Sequence, residues 1–134
     1  MRQLGIAPEQ VSQVVMTHLH SDYLGGMSAF GGKRILVSEA AAKGHAGALI
    51  CRIPHDVQVT PLAYRSGAAG VFPNSAALTG GGTISVIPTP GHANGHQSVL
   101  DPGRMNERVY CRRCCVLAGS DREWGDSRDR RKIW

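Results

Sequence analysis

Apolar and polar positions divide this chain into short runs that suit strands more often than long helices. Val14 to Thr17 is an apolar run too short for a helix and predicts a buried strand. Arg34-Ile35-Leu36-Val37 predicts a second strand, and Val57 to Ala63 a third, interrupted at Pro61. Thr83 to Pro88 reads as a strand. Gln97-Ser98-Val99-Leu100 reads as another, closed by Asp101-Pro102-Gly103, and Val109 to Ala118 as a final one. Helical signals are few. Ala7 to Gln13 predicts a short helix, with proline near its start and glutamate in its first turn. Met27 to Phe30 predicts a helical turn ended by Gly31-Gly32. Ser38 is placed to cap Glu39 to Lys43, with Gly44 as the stop. Residues 45–57 follow no clear period, and residues 66–83, rich in Gly, Ala, Ser, Asn and Pro, predict loop or short extended pieces. No internal repeat is present.

The candidate chemistry sits where two of these runs end. Val14-Val15-Met16 leads into Thr17-His18-Leu19-His20-Ser21-Asp22-Tyr23-Leu24-Gly25-Gly26. Side chains two apart on an extended chain point to one side, so His18 and His20 can aim at one point and Asp22 can reach the same neighbourhood. Imidazole nitrogens and a carboxylate oxygen are the donors that Zn²⁺ and similar ions take. Far along the chain, the run Ile84 to Pro88 ends in Thr89-Pro90-Gly91-His92-Ala93-Asn94-Gly95-His96-Gln97-Ser98, which again sets a histidine in a tight turn.

At these residues the chain resembles the metallo-β-lactamase-fold hydrolases, and most of all the branch that includes N-acyl homoserine lactonases. The family pattern is His-x-His-x-Asp-His, then a Pro-Gly-His turn, then a Gly-Asp at a strand end. The resemblance covers roughly residues 4–103. It implies an α/β (α+β) fold, a partial αββα sandwich with a mixed sheet and flanking helices. It implies a zinc-dependent hydrolase in which activated hydroxide attacks a lactone or ester carbonyl. His18, His20 and His92 would hold one zinc. Asp22 would serve a second zinc and orient the hydroxide, with Asp121 of Gly119-Ser120-Asp121 as the nearest candidate for the bridging aspartate. One or two zinc ions and a small lactone or ester substrate follow.

Three departures qualify the match. Tyr23 stands where the pattern has its last histidine, and a neutral phenol is a poor zinc ligand. Asp121 comes one residue late, which on a strand turns a side chain to the opposite face. Family members are about twice this length, so their leading strands and the segment with the last histidine ligand are absent. These departures define an alternative, a degenerate fragment that performs no chemistry. Such a half-sandwich would expose apolar sheet faces and self-associate.

Composition sharpens the boundary. The chain has 134 residues, is 42% hydrophobic and 19% charged, and is globular in character. Its net charge of +5 lies mainly beyond residue 103, where nine basic residues face five acidic ones. Cys111, Cys114 and Cys115 crowd the same stretch, and Cys51 stands apart. This spacing reads as reduced thiols and not as a disulfide framework or zinc knuckle. Residues 1–103 are therefore read as a metallo-β-lactamase-like domain fragment. Residues 104–134 are read as an atypical basic, Cys/Arg-rich tail that is not the family's own C-terminus and is disordered from Ser120 on. That tail lacks interleaved aromatics and reads as solvated, not as a nucleic-acid-binding arm. The N-terminus has no apolar signal core and no run is long enough to span a membrane, which places the chain in the cytoplasm. His96 reads as a structural histidine near the turn, and His45 and His55 as loop or surface residues.

Overall fold

Strand β1 (Val11–Met16) organises the molecule, because neighbours pair with it on both sides. The computed structural model describes residues 5–44, 53–101, 108–110 and 114–118, with the side chains of Asp22, Tyr23 and the last two strands outside that set. Strands β2 (Arg34–Ser38) and β3 (Gln58–Leu62) follow in parallel register, Val14 beside Ile35 and Leu36 beside Thr60. Strand β8 (Cys114–Ala118) runs antiparallel on the other side of β1, with Val14 opposite Val116. This gives a mixed sheet in the order β3-β2-β1-β8. A second sheet is antiparallel throughout. It contains β4 (Ala76–Ala77), β5 (Ser85–Pro88), β6 (Gln97–Asp101) and β7 (Arg108–Tyr110).

Strands β1 and β2 are apolar at successive positions because both faces of their sheet are covered. Val15 and Leu36 point to one face and meet Ile84, Val86 and Val99 from the second sheet. Val14, Met16, Ile35 and Val37 alternate to the other face, where Leu19, Leu24 and Met27 pack against them. A sheet feeding two separate cores needs no polar face, and none is seen in these runs.

Several expected elements take other bounds. The predicted helix at Ala7 to Gln13 is a 3₁₀ turn at Pro8–Gln10, and the strand expected from Val14 starts at Val11. Pairing of Val11 and Gln13 with Ala118 and Leu117 draws that segment into the sheet, which a weak helical propensity does not outweigh. The helical turn expected at Met27 extends back over Ser21–Phe30 as 3₁₀ structure, through both glycines. Strand β3 runs through Pro61 without interruption, because β3 is an edge strand among the described residues and an edge tolerates a missing N–H. The single strand expected over Val109 to Ala118 is two, β7 and β8, in different sheets. Both lie in the stretch set apart by its charge. The expectation of disorder from Ser120 on, and the readings of His45 and Cys51, lie outside the described residues.

Helices are sparse. Helix α1 (Glu39–Ala42) is the one α-helix among the described residues, capped as predicted by Ser38, whose Oγ accepts from the Ala41 N–H at 3.0 Å. No helix among them is long and apolar enough to cross a membrane.

Candidate metal centre

Two turns meet where β1 and β2 end and β6 begins. The first leaves β1 after Met16. His20 is still extended, at φ −71° and ψ 151°, and the chain then tightens into the Ser21–Phe30 turn. The second joins β5 to β6. It closes through the Thr89 N–H on the His96 carbonyl at 3.0 Å and the His96 N–H on the Ala93 carbonyl at 3.1 Å.

These turns bring three predicted residues together. The ring nitrogens that His18, His20 and His92 can offer lie within 4.8 Å of one another. Ring centroids are 4.7 Å apart for His18 and His20, 4.8 Å for His18 and His92, and 5.1 Å for His20 and His92. The rings stand edge to face, so nitrogens converge where stacked rings would hold them apart. His18 is buried, His20 half-buried and His92 exposed, so the cluster opens to solvent on one side.

His18 Nδ1 lies 2.9 Å from Thr17 Oγ1, so the buried Nε2 is the nitrogen it can offer to an ion. Offering Nε2 requires the proton on Nδ1, with the threonine oxygen accepting it. The donor set therefore suits a metal ion that takes imidazole. Asp22 follows in the Ser21–Phe30 turn, but its side chain lies outside the described residues, as do the side chain of Tyr23 and the whole of Asp121.

His96, read as structural, is buried beside the cluster with its centroid 5.3 Å from that of His18. Its Nδ1 lies 2.9 Å from Thr89 Oγ1 and 3.0 Å from the Thr89 carbonyl, bonds that stay inside the turn as expected. His55 is exposed, as a surface histidine should be.

Sequence reasoning missed the residues that hold the two turns against each other. Gln97 is fully buried; its backbone N–H donates to the Thr17 carbonyl at 2.9 Å and its side-chain N–H groups to Met16 at 2.8 Å and Leu36 at 3.4 Å. Its Oε1 accepts from the Tyr64 hydroxyl at 2.8 Å. Ser38 Oγ donates to the Gly95 carbonyl at 2.6 Å. A polar residue at the inward start of a strand was the available signal. Burial holds Tyr64 as a neutral phenol and pushes its pKa up to about 12, only partly opposed by a hydrogen bond with Ser38. Beside this junction a recess of about 320 Å³ is lined by Leu62, Tyr64, Pro90, Asn94 and His96 among others.

Known proteins are similar to this chain in sequence. Metallo-beta-lactamase domain-containing protein 1 of Xenopus laevis is 33% identical over 104 residues, which is 77% of this chain and 36% of that protein. N-acyl homoserine lactonase AttM of Agrobacterium fabrum is 31% identical over 106 residues, 75% of this chain and 39% of that one. N-acyl homoserine lactonase AiiA of Bacillus thuringiensis subsp. kurstaki is 30% identical over the same length, with 75% and 36% covered. The chain thus spans well under half the length of these relatives. Among solved structures, a quorum-quenching N-acyl homoserine lactone hydrolase aligns over 75% of this chain and 38% of its own, at 26% identity and a TM-score of 0.49. The family model described as the metallo-beta-lactamase superfamily matches residues 1–104, which include all three clustered histidines. The chain belongs to the metallo-beta-lactamase superfamily.

Proposed function

We propose that this chain is a zinc-dependent hydrolase of lactones or esters, with one zinc ion held by His18, His20 and His92. The observation that carries the reading is the convergence of these imidazoles, within 4.8 Å, from turns on two different sheets. Relatives named as N-acyl homoserine lactonases favour a lactone. Three neutral histidines with an open position make a competent single-zinc site. Asp22 and Asp121 are the candidate ligands for a second ion, and Tyr23 and the offset of Asp121 count against that second site.

When bound, zinc makes hydroxide available near neutral pH and polarises a carbonyl oxygen. The chain's own residues set the conditions. With Nε2 of His18 on zinc, its Nδ1–H would donate a hydrogen bond to Thr17 Oγ1, which would hold that tautomer. The exposure of His92 leaves a way in for substrate. Asp22, two residues past His20, would orient the attacking water. In the overall change, water adds to the carbonyl, the ring C–O bond breaks, and the freed oxygen takes a proton to give a hydroxy acid.

The alternative, a chain that keeps the ligands and turns nothing over, draws on Tyr23, which replaces the last histidine of the family pattern. One experiment separates the two. Zinc per monomer is measured by elemental analysis of the full chain, beside hydrolysis of an N-acyl homoserine lactone followed by acid release. About one zinc with turnover, both lost in His18→Ala and His92→Ala, is the expected result. Zinc without turnover selects the alternative. Folded protein that holds no zinc overturns the metal reading.

A further inference from the structure

We infer that Gln97 is a positioning residue, which sets the spacing between the two turns that carry the clustered histidines. The inference rests on the metal reading for its consequence, and on hydrogen-bond geometry for its substance.

Gln97 opens β6, and the turn with His92 and His96 immediately precedes it. Its backbone N–H is bonded to the Thr17 carbonyl, one residue before His18. Its side-chain amide has two donor hydrogens and one acceptor oxygen, in fixed directions. Both donors go to the other sheet, to Met16 at the end of β1 and to Leu36 in β2. The acceptor oxygen is filled by the Tyr64 hydroxyl at 2.8 Å. A flipped amide would set its oxygen against the Met16 and Leu36 carbonyls, so one orientation is specified.

Elsewhere the sheets meet through Val15, Leu36, Val86 and Val99. Apolar burial drives that contact together but has no direction, so it leaves the lateral offset of one sheet on the other loosely set. Zinc–nitrogen bonds of about 2.0–2.1 Å tolerate little such sliding. The Gln97 bonds are directional and lie at the level of the ligands. They tie Thr17, and with it His18 and His20, to the turn that presents His92. Tyr64 acts one bond further out, by holding Oε1, and its half-buried phenol keeps the proton it donates.

The test uses the full chain with Gln97→Met, which keeps the length and removes the amide, and Tyr64→Phe, which removes only the outer hydroxyl. Zinc affinity is read by competition with a chromophoric chelator, ligand geometry by the visible spectrum of the cobalt(II) form, and folding by metal-free thermal denaturation. Gln97→Met should weaken zinc by about 10–100-fold and alter the cobalt spectrum. Tyr64→Phe should weaken zinc by a smaller factor in the same direction, and it decides the matter if Gln97→Met does not fold. A lowered melting temperature with wild-type zinc affinity and spectrum would mean a purely structural glutamine and overturns the inference. If the parent protein takes up no zinc, the metal reading fails by itself. The histidine ring ¹⁵N resonances of metal-free protein then decide: shifts at both His18 and His92 support positioning by Gln97, and unchanged resonances overturn it.

Discussion

Gly95 is the residue on which the second turn most depends. Its φ is +74°, a conformation that side chains with a Cβ rarely adopt. A Cβ there would also meet Ser38 Oγ and the Ala41 backbone nitrogen, where β2 passes into α1. Gly95→Ala should therefore cost more than about 1 kcal/mol in urea denaturation. Gly67→Ala is the control, because its φ is +83° and a Cβ there meets nothing within 4 Å. The larger loss at Gly95 measures the crowding, and equal losses would show that the junction relaxes. Tyr64 supplies a pH signature. The folded state holds its proton more tightly than the unfolded chain, whose phenol titrates near its ordinary value of 10. Its contribution is complete below pH 10 and drains away as pH rises through about 12. Urea midpoints of wild type and Tyr64→Phe should converge across that window, and a constant gap would contradict the burial argument.

At the scale of elements, pattern and pairing each settle different things. The buried runs of β1 and β2 are legible because a sheet covered on both faces requires continuous apolar sequence. Their ends are not legible, because pairing partners far along the chain fix them, as Ala118 and Leu117 do for Val11 and Gln13. For the same reason the division of the last apolar stretch into β7 and β8 escapes a local reading, since one strand joins β6 and the other β1. Leu36 sits in the apolar layer between the sheets and is 3% exposed. Leu36→Ala should cost about 2–5 kcal/mol by opening a cavity there, read from urea denaturation. A loss near zero would show that the second sheet closes over the gap.

At the scale of the whole molecule, metal and fold are coupled, because the three histidines come from turns on two sheets. An ion bound to the folded state alone raises its stability, by about 2.7 kcal/mol at a hundred times Kd. Added zinc should therefore raise the melting temperature of wild type. It should leave His92→Ala unmoved and act on the exposed His55→Ala as on wild type. A rise that survives His92→Ala would place the ion elsewhere. The sequence by itself determined the superfamily, the strand-rich α/β character, the cap at Ser38 and the identity of His18, His20 and His92 as candidate ligands. The strands and the cap follow from residue type and short spacing, which a linear chain displays, and the superfamily and the ligand role of the three histidines follow from the resemblance of their motifs to that family. Only the tertiary structure decided that His92 meets His18 and His20. It alone revealed Gln97, Thr17 and Tyr64 as the groups behind them, because their partners lie up to 81 residues away and hydrogen-bond direction is a property of the folded chain.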